Sequence, residues 1–133
     1  MVKPAPGAGF GTSRQAARVW QSGLFIGTNT PFYFHLYRGG TGERVSQDLL
    51  AGTETRQPIT WGFAGSNLET VRTFGDGSTG RRTWVPLRNS GSSRFVMESE
   101  VRSFTDGTVF PFVQPRVNFY VDEGAATPPP AAR

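Results

Sequence analysis

Glycine and proline recur at intervals of roughly ten residues along this chain, separating short runs rich in Val, Phe, Tyr, Trp and Thr. Strands of four to eight residues fit between such breaks, whereas helices need longer uninterrupted stretches with apolar positions three and four apart. With 17 glycines and 10 prolines in 133 residues, the spacing points to one all-β domain with a single core.

Eight runs read as strands, at 19–26, 32–37, 44–50, 57–63, 68–74, 82–87, 94–104 and 109–121. Ser13 is placed to cap one helical turn over 15–18, with a solvated entry loop as the alternative. The stretch 43–51 suits a short helix as well as a strand, because Val45, Leu49 and Leu50 fit either period. Pro111 and Pro115 each remove a ladder donor, so the last run is expected to be divided and to lie at an edge or a bulge. Two hairpins are marked best. Asp106 and Gly107 sit between the runs ending at Phe104 and beginning at Val109, and a longer glycine-rich loop spans 75–80.

Alternation sorts the faces. Phe32, Phe34 and Leu36 share one side of their strand, as do Ile59, Trp61 and Phe63, and as do Val117, Phe119 and Val121. Strands with one apolar face must stack as two sheets or close into a barrel, and the economical expectation is an antiparallel β-sandwich, jelly-roll-like. Three segments follow: an extended N-terminal arm (1–17), the sandwich (18–122) and a Pro/Ala-rich C-terminal tail (123–133). The outer parts of both tails are too poor in apolar residues to order themselves, and Phe10 is their one aromatic residue.

Composition removes much familiar chemistry. There is no cysteine, so disulfides, thiolate nucleophiles and cysteine-containing zinc sites are excluded. A single histidine, His35, cannot build a multi-histidine metal centre, and no catalytic residue, metal or cofactor is expected. The formal charge is +4, and thirteen of the fourteen cations are arginine, Lys3 being the exception. Codon usage in a GC-rich genome accounts for such a bias. So does contact, because the guanidinium fork desolvates more easily than an ammonium and pairs bidentately. No apolar run approaches the ~20 residues of a membrane helix and no apolar signal core follows Met1, so a soluble chain without a secretion signal or membrane association is expected.

Several constellations carry competing readings. Glu98 and Glu100 share one strand face at a spacing near that of paired glycosidase carboxylates, but Arg102 continues the row and an ordinary solvated face explains it better. Tyr33, His35 and Tyr37 form an aromatic stripe suited to a sugar ring or stacked base, or to cover by a loop or subunit. Arg81, Arg82, Arg88 and Arg94, with Trp84 among them, make the strongest basic patch, too sparse for a nucleic-acid motif. Trp61 aligns with the core face of its strand, Trp20 sits on another strand, and Trp84 is expected to be exposed. The 75–80 glycines precede a strand, which argues against a phosphate loop.

The segment Leu49-Leu50-Ala51-Gly52-Thr53-Glu54-Thr55, leading to Ile59, together with the cysteine-free, Gly/Thr-rich body and Pro/Ala tails, resembles the small virion proteins of tailed bacteriophages, especially head decoration (cement) proteins. That resemblance implies a non-enzymatic structural protein of the virion, assembled in the host cytoplasm, that binds major capsid protein or other virion subunits as a homodimer or homotrimer. The contacts it implies are Lys3, Phe10, Arg14, Arg18, Arg81, Arg82, Trp84, Arg88, Arg94, Pro128, Pro129 and Pro130. A carbohydrate- or receptor-binding module is the alternative, and a single-stranded nucleic-acid binder, for which nucleic acid is the less expected partner, comes third.

Overall fold

The computed structural model describes residues 9–128, so Lys3, Pro129 and Pro130 lie outside the described residues. Eight strands follow in order: β1 (Arg18–Ser22), β2 (Phe32–Leu36), β3 (Thr41–Asp48), β4 (Thr53–Ala64), β5 (Asn67–Thr73), β6 (Thr79–Ser90), β7 (Ser93–Ser103) and β8 (Val109–Ala125). A four-residue helix, α1 (Ser13–Ala16), precedes them, and a 3-10 turn (Gly23–Phe25) follows β1. Thr12, one residue before the expected cap, holds α1 through a capping box with Gln15. The stretch over 43–51 resolves as a strand and turn.

Each strand pairs antiparallel with its sequence neighbour, and β1 pairs with β8. The result is a closed, up-and-down eight-stranded barrel, which corrects the expected sandwich. Period-two alternation is common to both architectures. The deciding contact joins the first strand to the last, and Trp20 opposite Asp122 and Ser22 opposite Tyr120 set its register. Eight strands enclose a lumen that side chains alone can fill.

Consecutive hairpins put the turns at 37–40, 65–66 and 91–92, with α1, at one end, called upper here. The loops at 23–31, 49–52, 74–78 and 104–108 lie at the lower end. The upper lumen is apolar: Trp20, Phe34, Leu36, Leu68, Trp84, Val96 and Tyr120 are all buried. Phe10 closes it. Its ring meets Trp20 edge to face at 5.0 Å and lies 5.4 Å from Trp84, so a residue assigned to the arm is part of the core. Trp20 and Trp61 satisfy their indole N–H groups on backbone oxygens, of Ala16 for the first and of Tyr37 and Thr41 for the second. Gly42 faces inward where an added Cβ would collide with the His35 carbonyl oxygen, which fixes the close approach of β2 and β3.

β8 is one strand, not two, and it runs through Glu123, Gly124 and Ala125, residues assigned to the tail. Its register with β7 shifts between Glu98 and Glu100 and again before Val101, which absorbs extra residues beside Pro115 and Pro111. Among the described residues, β1 pairs only with the upper part of β8, so both prolines sit where one side of the strand has no ladder to supply.

Candidate functional site

The lower lumen is charged. Glu98 and Glu100, expected on a solvated outer face, point inward and are fully buried. Their cross-strand partners on β6 are Trp84 and Arg82, and on the other side Arg116 stands opposite Glu98. One oxygen of Glu98 accepts from Arg82 Nη1 at 3.1 Å and from the Tyr120 hydroxyl; the other accepts from Arg116 Nε at 2.7 Å and Asn118 Nδ2 at 3.1 Å. Glu100 accepts from Arg82 Nε at 3.0 Å and from Arg72. Burial disfavours the Arg82 charge, yet the adjoining Glu100 and Glu98 carboxylates hold its pKa above the ordinary arginine value. Burial also pushes the Tyr120 hydroxyl well up, so it acts as a neutral donor to Glu98.

This lattice explains why β8 turns the opposite face inward from the one expected. Its inward residues are Arg116, Asn118 and Tyr120, because they complete the hydrogen bonding of Glu98, and Val117 is left outside. Every oxygen of the two carboxylates is occupied by a donor, so they form a structural ion network and not a free acid and base.

The residues proposed as contacts scatter. Arg82 and Trp84 are buried, Trp84 stacking on Tyr120 at 4.2 Å. Arg94 reaches over the Trp20 ring, and Arg18 ties β1 to β8 through Asp122 at 2.6 Å. Arg81 pairs with Glu69 at 2.8 Å on the outer surface. Arg14, Arg88 and Pro128 are exposed, Arg88 stacking on Phe95. The four-arginine patch is therefore not one surface, and an exposed Trp84 is not found. In the aromatic stripe, Tyr37 is buried with its hydroxyl on Glu43 at 2.6 Å, and burial first, then Glu43, pushes its pKa up to about 12. Tyr33 and His35 remain partly exposed.

The outer surface is uneven. Val85, Met97 and Val117 stand side by side across β6, β7 and β8 on the outward face, with Val85 39% and Val117 57% exposed and Leu87 beside them. The outward sides of β3 to β6 carry Glu43, Arg56, Glu69 and Arg81, and further exposed apolar side chains, Leu24, Ile26, Leu49, Leu50 and Val109, lie toward the lower end. Among the described residues no group of three His, Cys, Asp or Glu side chains is placed to hold a metal, and no helix is long and apolar enough to cross a membrane.

A second feature opens at the lower end. Phe25, Thr30, Phe32, Arg44, Ser46, Thr55, Gln57, Arg82 and Arg116 line a pocket of about 340 Å³ at the barrel mouth. It contains three guanidiniums and no carboxylate. Nothing in the sequence flagged it, because Arg44, Gln57 and Arg116 lie on three separate strands and meet only once the barrel closes. Comparison with known proteins gives no matching family model, no matching curated protein and no matching solved structure.

Proposed function

We propose that this chain is a non-catalytic assembly protein, a virion component of the head decoration type, whose barrel associates with copies of itself and seats on a lattice of capsid subunits. The observation that carries the reading is the uncovered Val85–Met97–Val117 row: apolar side chains contiguous across three neighbouring strands on the outer face are the composition of a protein contact. Among the described residues the lower part of β8 has no β1 partner, but Pro111 and Pro115 lie on that edge and lack donors, so association is expected through this face and not by adding strands.

The position of the chain ends adds to it. Arg18 pairs with Ala125, so the arm that enters β1 and the tail that leaves β8 depart from the same rim, where two weak contacts reinforce each other. The two other readings lose the residues they rested on. A sugar platform needed an exposed Trp84 and Tyr37, and a nucleic-acid groove needed Arg81, Arg82, Arg88 and Arg94 on one surface.

Cosedimentation with tailed-phage capsid shells assembled without a decoration protein tests the proposal. The full chain is expected to pellet with shells and the chain lacking residues 1–8 to pellet less, with its fold intact. Equal pelleting of both chains would remove the arm from the mechanism, and a chain that stays in the supernatant with the shells it is encoded alongside would remove the function.

A further inference from the structure

The lower lumen holds more positive charge than its own carboxylates neutralise. Arg44, Arg72, Arg82 and Arg116 point into it, against Glu98 and Glu100. Arg72 and Arg82 pair with Glu100, and Arg82 and Arg116 with Glu98, so only Arg44 has no carboxylate among the described residues. Four guanidiniums against two carboxylates still leave an excess of positive charge, in a region where water is partly excluded and uncompensated charge is expensive. Arg44 shows the deficit most plainly. Among the described residues its one side-chain hydrogen bond is from Nη1 to Gln57 at 3.2 Å and its buried Nε has no partner, while its guanidinium lies 4.7 Å over Phe32. Arg116 spends Nε on Glu98 and turns the rest of its fork to the same opening.

We propose that the barrel mouth is a binding site for a dianionic phosphate monoester carrying a flat apolar group. The phosphate oxygens take donors from Arg44 and Arg116 and from the hydroxyls of Thr30, Ser46 and Thr55, while the apolar part lies against Phe25 and Phe32. The excess of guanidiniums over carboxylates favours a dianion over a carboxylate, since a phosphate monoester carries close to two charges at neutral pH. The pocket volume is at the small end of ligand sites, which suits a single ring and not a polymer. This site lies on the lumen side and is separate from the outer row on β6 to β8, so it goes beyond the docking reading and does not depend on it.

Isothermal titration of the full chain with phenyl phosphate, inorganic phosphate, benzoate and phenol tests the proposal. Phenyl phosphate is expected to bind one to one and more tightly than the other three. Arg116→Gln, at a half-exposed position where Glu98 keeps Arg82, Asn118 and Tyr120 as donors, is expected to weaken it about tenfold or more, and Arg44→Gln at least as much. Arg38→Gln, in an exposed turn at the opposite end, is expected to leave it unchanged. The proposal is overturned if phenyl phosphate gives no saturable heat, if phenol or benzoate binds as tightly, if inorganic phosphate matches it, or if the folded Arg116→Gln chain binds as the parent does.

Discussion

Arg72 donates to a single oxygen of Glu100 from both Nε, at 2.9 Å, and Nη2, at 2.6 Å, inside a barrel where neither side chain is more than one-tenth exposed. The other Glu100 oxygen serves Arg82. Glu100→Ala therefore leaves buried Arg72 without a carboxylate and Arg82 with Glu98 alone, and breaking a buried pair from one side costs about 3–5 kcal/mol. Urea unfolding is expected to show a loss of that size. A loss under about 1 kcal/mol would mean that water or a neighbouring group already screens the network.

Phe10 belongs to the core and not to the arm, and two truncations separate these roles. Removing residues 1–8 leaves Phe10 against Trp20 and Trp84 and is expected to leave the melting temperature unchanged. Removing 1–12, or Phe10→Ala, opens the upper lumen, at about 3–5 kcal/mol for a buried Phe→Ala change. Calorimetric melting of the three chains checks it, and equal melting of all three would show that the plug contributes nothing.

Much of the fold is legible in the residues. Glycine and proline spacing marks eight strands close to their observed positions, and alternation puts Phe34, Leu36, Ile59 and Trp61 inside because they are apolar and so are their neighbours across the sheet. The same rule fails on β7 and β8. There the inward face is Glu98, Glu100, Arg116 and Asn118, and polarity alone assigns such residues to water; only their mutual hydrogen bonding makes burial tolerable, and that depends on strands far apart in sequence. Closure through β1 and β8 is invisible for a related reason. A five-residue strand pairing with residues about a hundred positions away leaves no local pattern. The mouth pocket follows from that closure, so its arginines carry no spacing that a reader of the sequence could use.

His35 supplies a pH dependence. Burial, and then the Arg56 charge, lower its pKa below the ordinary 6.5, with Glu43 and Glu54 pulling the other way. The unfolded chain therefore binds the proton more readily than the folded one. The stability that His35 contributes is fully present above about 6.5, falls as pH drops from there through the lowered folded value, and then levels off. Denaturant titrations at a series of pH values are expected to show this step in the parent chain and a flatter profile in His35→Gln. An identical profile in the two chains would assign the step elsewhere.

The central claim is that the outer flank of β6 to β8 is a protein contact surface. Sedimentation equilibrium of the purified full chain, beside a Val85→Asp, Val117→Asp double variant, addresses it most directly. Both positions face outward, so the variant is expected to keep the parent's circular dichroism. The account predicts a dimer or trimer for the parent and a monomer for the variant. A parent that stays monomeric at the highest concentration attainable, or a variant that associates as strongly as the parent, would contradict it.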